Sequence, residues 1–229
     1  MKFAYDLHIH SVLSPCSDEL MTPNNILNMA YLNELDIIAV TDHNSMRQLE
    51  TVLEIAESYD YIVVPGIEIQ VEGGHLLAYF SMGYYKAFSN EIEKILHKND
   101  AANEQVVMDV FDLEVENYQY CLTGDLNSNL YEVLKLIKKY EGVTILAHID
   151  KDKYSLKQLI KEEHVEYIDG IEVTKYVDLK TLYNDYPLLK DIPVYRSSDS
   201  HTITDLARRV NYIELEELSV EKFIEGLRR

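Results

Sequence analysis

Short apolar, β-branched runs alternate along this chain with stretches whose apolar residues recur at helical spacing. That alternation constrains the fold more than any other feature. Strand-like runs occur at 3–7, at DIIAVT (36–41), YIVVPGIEI (61–69), HLLAYF (75–80) and VTILAH (143–148), and at YIDGIEV (167–173), IPVYRSS (192–198) and VNYIEL (210–215). Helical patterns lie between them at 22–34, 45–59, 130–142, 155–163, 178–186 and 219–229. Thr22 is placed as an N-cap with Pro23 at the first helical position, and Gly142 stops the helix before it. Alternating strands and helices imply an α/β protein built on a mostly parallel sheet covered by helices. About seven βα units in this length suit a small barrel. Residues 84–128 break the rhythm: they are charged, polar and rich in Asn, and read as an insertion carrying a helix at 89–97. No linker rich in Pro, Gly or Ser divides the chain and no repeat is visible, so 1–229 reads as a single domain.

Apolar residues make up 47% of the 229, enough for a sizeable core. No uninterrupted apolar run reaches the roughly 18 residues of a membrane span. The start, MKFAYDLHIHS, has no apolar signal core, and the two cysteines, Cys16 and Cys121, make no disulfide framework. A cytoplasmic protein without a membrane partner is expected. Forty acidic residues against 21 basic ones give a formal net charge of −19. Duplex nucleic acid is usually gripped by a basic face, so none is expected as a partner. A small phosphorylated substrate drawn to metal ions fits this charge better. Composition does not set the oligomeric state.

The histidines sit at telling places. In DLHIHS, His8 and His10 are two apart on a strand, so their side chains share a face about 6–7 Å apart at the backbone. Two imidazoles at that spacing can close on one metal ion, and a lone pair of this kind fits surface histidines equally well. His43 ends a strand in VTDHNS, His148 ends one in ILAHID, and His201 follows one in RSSDSH. His75 opens HLLAYF just after a Gly-Gly turn, and His97 and His164 lie among Lys and Glu in predicted helices. Asp42, Glu68 and Asp199 also fall at strand ends. Acidic groups on apolar strands are costly to bury unless they are paired or bind metal. In a βα barrel the C-terminal strand ends meet at one face, so these groups would converge there.

DLHIHS, then TDHN, a Glu, a His before a long gap, AHID and SDSH occur in that order over nearly the whole chain. This order resembles the PHP (polymerase and histidinol phosphatase) family, and the LSPC and TPNNILNMAYLNELDIIAVTDHN wording is similar to its stand-alone bacterial members. The resemblance implies a distorted (β/α)7 barrel with two or three divalent ions, zinc, manganese or iron, at the C-terminal strand ends. His8, His10, Glu68 and Asp199 would hold one ion, and Glu68 would bridge to a second held by His75 and His148. A third site would use His43, His201 and a histidine at position 16. Here residue 16 is Cys, whose thiolate binds zinc at about 2.3 Å, and Asp18 is close by. The implied activity is hydrolysis of a phosphomonoester or phosphodiester, nucleotide-like substrates included, by a metal-bridged hydroxide. Glu68 and Asp199 would orient the nucleophile, and Asp42 would set a histidine tautomer, with Asp6 doing likewise at its own strand end. Lys151, Lys175, Arg196, Arg208 and Arg209 are candidate phosphate contacts, and Tyr176 and Tyr195 candidate stacking rings. The alternatives are a nuclease-like or polymerase-associated module, which a Lys/Arg cluster on one face would favour, hydrolysis of an amide or lactone, and a nonhydrolytic metal- or ligand-binding protein.

Overall fold

A computed structural model describes residues 1–97, 105–126 and 128–228; the parts of the expected insertion at 98–104 and 127 lie outside the described residues. Three sheets form. The first has the order β11 (Tyr212–Glu214), β1 (Lys2–Ile9), β2 (Ile37–Val40), β3 (Ile62–Val63). The second runs β10 (Val194–Tyr195), β9 (Gly170–Glu172), β8 (Val143–Leu146), β5 (Gly74–Tyr79), β4 (Gly66–Val71). A small antiparallel pair, β6 (Val106–Met108) and β7 (Glu114–Asn117), belongs to the segment that breaks the rhythm. The two main sheets meet at both margins through single parallel bridges, His43 to Glu68 and Ile9 to Ser200.

The α/β class holds, but the strands do not form the sevenfold parallel repeat. No closed barrel is formed by the described residues, and β5 is antiparallel to both β4 and β8. The cause is local. A parallel connection needs a dozen or more residues, whereas only Glu72 and Gly73 separate β4 from β5. Gly73 sits at φ +90°, a turn conformation that suits glycine. Pro65 falls between β3 and β4, so the expected run 61–69 divides there between the two sheets.

The helices follow their sequence signals. In α1 (Pro23–Leu32), Thr22 caps the N-terminus by accepting from the Asn25 N–H, and Pro23 opens the first turn. α4 (Leu130–Lys139) carries a capping box between Asn129 and Glu132 and buries Leu130, Val133, Leu134 and Ile137. α2 (Leu49–Ala56), α3 (Tyr85–Ile95), α6 (Leu179–Asp185) and α7 (Val220–Leu227) also fall within or beside expected helices. The stretch 155–163 does not become one helix; it forms a 3-10 turn at Leu156–Gln158 and enters the short α5 (Glu162–Val165). No helix among the described residues is long and apolar enough to cross a membrane.

Strand periodicity divides the core in two. Ile38, Val40, Leu76, Ala78 and Leu146 face the helices. Ile37, Ala39, Leu77, Tyr79, Val143 and Ile145 point between the sheets, where Phe223, Ile224 and Leu227 of α7 close the lower end. The upper end is left for the polar residues described below.

At the end of α4 it is Glu141, at φ 52°, that adopts the left-handed conformation, not Gly142. Gly142 is needed for space: a Cβ there would lie 2.5 Å from the Phe80 ring and 2.6 Å from Ile137. Gly142→Ala is expected to cost about 1–3 kcal/mol through overpacking. A lower urea midpoint at unchanged slope would register this, and an unchanged midpoint would refute it.

Candidate metal centre

Four strand ends deliver five imidazoles to one buried carboxylate, Glu68 of β4. β1 has a register irregularity between Asp6 and Ile9; His8 lies within it and His10 just past it, and the two share a face with Nε2 atoms 3.2 Å apart. The bridge from His43 to Glu68 brings the end of β2 beside β4 and places His43 Nδ1 3.1 Å from Glu68 Oε2. The β4–β5 hairpin sets Gln70 opposite His75, so His75 reaches diagonally to Glu68, Nδ1 to Oε1 3.0 Å. His148, just past β8 at φ 30°, turns its Nε2 to 3.2 Å from the same oxygen. His8 and His10 complete the ring at 3.3 Å each. Asp199, left-handed at φ 52°, aims Oδ1 at the Nε2 atoms of His8 and His10, 3.4 and 3.5 Å away. The His201 ring stacks on His10 at 4.3 Å.

A surrounding layer fixes the ring orientations. Glu172 lies 3.0 Å from His8 Nδ1 and also accepts the His148 backbone N–H at 3.1 Å. With a proton on Nδ1, the His8 Nε2 lone pair faces the centre. Asp42 touches no imidazole. It accepts from the Ser11 N–H and hydroxyl and from Ser14 Oγ, and Ser14 in turn takes His10 Nδ1 at 3.2 Å. The hydrogen-bonded link from Asp42 to an imidazole therefore runs through Ser14. Asp6 accepts from Ser198 and from the Ala207 N–H, tying down the loop that carries Asp199 and His201. Sequence reasoning missed Glu172 and Ser14. For Glu172 a signal existed, an acid closing the buried run YIDGIEV.

The electrostatics are those of a site built for positive charge. Burial alone would raise the Glu68 carboxyl, but His8, His10, His148 and His75 overcome it and hold it well below the usual range. Asp199 is likewise lowered against its burial by His8 and His10. Burial depresses the His43 imidazole to about 3 and pushes the Cys16 thiol up to about 12, with Glu68, Asp42 and Asp199 adding to it.

Three donor groups each gather within 4.8 Å: His8, His10 and Glu68; His43, Glu68 and His75; and His10, Cys16, His43 and His201. Nitrogen and carboxylate donors in this number suit divalent first-row metals. Cys16 thus joins the cluster. Asp18 stays outside it, exposed, with its carboxylate accepting the Leu20 N–H.

A cleft of about 320 Å³ opens over the cluster, bordered by Lys151 and Tyr154. Lys151 donates to Asp199 Oδ2 at 2.6 Å. The Tyr154 ring, another residue the sequence did not single out, stacks on His75 at 5.1 Å. A neighbouring cavity of about 740 Å³ shares His148, Lys151 and Asp199 with this cleft and contains Lys175, Arg196 and Arg208. Arg209 is at the other end of the fold, paired with Asp36 at 3.1 Å just before β2 begins. The Tyr195 ring packs over Gly170 inside the structure, whereas Tyr176 is 84% exposed.

The sequence model of the PHP domain family matches residues 6–192. Uncharacterized protein MJ1587 of Methanocaldococcus jannaschii is 30% identical over 83 residues, 33% of this chain and 48% of its own length. Among solved structures, the lesion-specific endonuclease PfuEndoQ from Pyrococcus furiosus superposes over 99% of this chain with a TM-score of 0.72 at 19% identity, and 56% of its own chain is covered. An endonuclease Q complex with a 27-mer duplex carrying an abasic lesion at the active site matches with a TM-score of 0.71 at 18% identity, again over 99% of this chain and 56% of that one. A Bifidobacterium adolescentis protein assigned as a metal-dependent phosphoesterase matches over 97% of this chain and 95% of its own, with a TM-score of 0.59 at 16% identity. The chain spans about half the length of the first three of these, and the structural likenesses at such identities are likenesses of fold. They correct one expectation. Net charge does not exclude duplex nucleic acid here, because a chain of this fold holds a duplex at its active site. The physical reason is that net charge sums the whole surface, whereas binding depends on local charge, and the cavity beside the cluster is locally basic.

Proposed function

Since the chain belongs to the PHP domain family, we propose that it is a metal-dependent phosphoesterase acting at the Glu68 cluster. The observation that carries this reading is one buried carboxylate with five imidazoles at 3.0–3.3 Å. The donors fit divalent ions. Among the described residues, His75 Nε2 and His148 Nδ1 are buried without a hydrogen-bond partner, and His43 Nδ1 has only its 3.1 Å approach to Glu68 Oε2; such groups cost about 1–3 kcal/mol each unless something satisfies them. His8, His10, Glu68 and Asp199 would hold a first ion, Glu68, His75 and His148 a second, and Cys16, His43 and His201 a third. When bound, the ions supply Lewis-acid polarisation of a phosphoryl oxygen and acidify water.

The chain's own residues do the rest. Glu172 and Ser14 keep the His8 and His10 Nε2 lone pairs turned inward. Asp199, with its side chain 22% exposed, stands at the rim where a substrate arrives. Lys151 carries the positive charge nearest that rim and can exchange Asp199 for a phosphoryl oxygen. Tyr154 walls one side of the cleft through His75. In this reading 1–229 act as one domain, and the segment at 84–128 braces α1 and α2: Asp112 accepts from Thr22, and Gln48 pairs with the Met108 backbone.

The test combines metal content with turnover. Protein purified without chelator is expected to carry two or three metals by elemental analysis. It should hydrolyse p-nitrophenyl phosphate or bis(p-nitrophenyl) phosphate, and Asp199→Asn should lose that activity. Protein that takes up no zinc, manganese or iron on reconstitution refutes the reading. Cys16 has its own readout. Cobalt-substituted protein should show a thiolate-to-cobalt charge-transfer band that Cys16→Ser removes, and soft ligation there would favour zinc over manganese. Identical spectra for the two proteins would remove Cys16 from the ligand set.

A further inference from the structure

The cavity beside the cluster holds three cations, Lys175, Arg196 and Arg208, that make no ion pair among the described residues. In a chain with 40 acidic and 21 basic residues, arginines find carboxylates readily. Arg47 pairs with Glu116 at 2.7 Å, Arg209 with Asp36 at 3.1 Å and Arg228 with Glu141 at 3.5 Å. Arg196 and Arg208 make no ion pair among the described residues, and both line this one cavity. So does Lys175, whose ammonium lies 4.8 Å from the Tyr176 ring and makes no ion pair among the described residues. Of the cavity's own acids, Glu172 is held on His8 and Asp199 pairs with Lys151 within the cavity, while Asp205 accepts from the Thr202 hydroxyl and keeps its charge, so Lys175, Arg196 and Arg208 outnumber the acid left without a cationic partner. Lys175 follows β9, Arg196 follows β10 and Arg208 precedes β11, so only the tertiary fold brings them together.

From this convergence we infer that the cavity is a track for the backbone of a nucleic-acid strand, holding phosphates that flank the one at the metal cluster. The inference rests on the phosphoesterase reading for the identity of the reacting group. A lone phosphomonoester needs only the inner cleft, where Lys151 stands. Three further cations outside that cleft call for anionic charge beyond the reacting ester. Arginine matches phosphate through its planar fork of donors, and the exposed Tyr176 offers a face on which a base can stack. The shared wall of His148, Lys151 and Asp199 makes the two spaces continuous, so one strand can occupy both.

The test is fluorescence anisotropy of a labelled single-stranded oligonucleotide with a hydrolysis-resistant phosphorothioate backbone, titrated with metal-loaded protein over a range of salt. Arg196→Gln combined with Arg208→Gln should weaken binding at least about tenfold and flatten the log–log salt slope by about 1.4, two contacts at about 0.7 each. Lys175→Gln and Arg208→Gln, single changes at exposed positions, should each remove about half of that slope change. Arg47→Gln, at a residue that lines a different cavity and pairs with Glu116, should leave both unchanged. Wild type that fails to bind, variants with wild-type affinity and slope, or poly-glutamate competing as well as unlabelled oligonucleotide would each overturn the inference. The two proposals fail separately. Loss of binding in the variants with no turnover of either p-nitrophenyl phosphate or bis(p-nitrophenyl) phosphate in wild type keeps the track and removes the esterase. Turnover with binding indifferent to the variants does the reverse.

Discussion

Glu68→Gln is expected to abolish hydrolysis, lowering kcat/KM on bis(p-nitrophenyl) phosphate by at least about a thousandfold, the scale on which groups acting directly at a reacting centre are lost. The substitution keeps the side chain's size, so the packing of β4 is undisturbed. What changes is the charge and half of the acceptor capacity. Both Glu68 oxygens are engaged, Oε1 by His8, His75 and His148 and Oε2 by His10 and His43. An amide turns N–H donors toward at least two imidazoles and removes the negative charge that draws cations to a site 1% exposed. Bound metal should therefore fall with activity, and elemental analysis of the same preparation should show ions missing from the two groups that Glu68 shares. A Glu68→Gln protein with full metal content and activity within about tenfold of wild type would show that Glu68 is not the hub of the site.

The parts of this site that could be read from the sequence are those set by local rules. His8 and His10 share a face because strand side chains alternate, and the positions of His43, His148 and Asp199 are visible as apolar runs closing on polar residues, whereas Glu68, expected at a strand end, lies inside β4. What could not be read depends on tertiary direction. Arg209 follows the Asp199 loop closely in sequence, yet the chain has by then turned toward β11, which runs antiparallel to β1, and Arg209 pairs with Asp36 at the far end. Tyr195 looked like a loop-end ring, but the absence of a Cβ at Gly170 lets it pack inward. The parallel barrel was expected because strand-like runs say nothing of their partners. The two-residue link between β4 and β5 held that information and forces a hairpin. Charge was the weakest guide: a total of −19 conceals a cavity where Lys175, Arg196 and Arg208 collect.

Glu172→Gln should weaken metal binding by about 10–100-fold without unfolding the protein, because Glu172 acts on the site through His8. Its Oε2 accepts from His8 Nδ1 at 3.0 Å and from the His148 N–H at 3.1 Å, while Oε1 lies 3.2 Å from the same Nδ1. A glutamine can place its single oxygen at the Oε2 position, but its NH2 group then stands 3.2 Å from an Nδ1–H, donor against donor. The imidazole must rotate, or move its proton to Nε2, the nitrogen that faces Glu68 and Asp199. Either response blunts the lone pair a cation would use. The loss of the carboxylate's charge also makes His8 a less basic donor. Chelator competition measures the affinity directly, and thermal unfolding in excess chelator separates it from stability, since a purely structural role would lower the metal-free midpoint and leave affinity alone. Glu172→Gln with wild-type affinity would mean that His8 takes its orientation from the strand alone. A selective loss of one ion, with those near His75 and His148 retained, would locate the effect at the His8 side of Glu68.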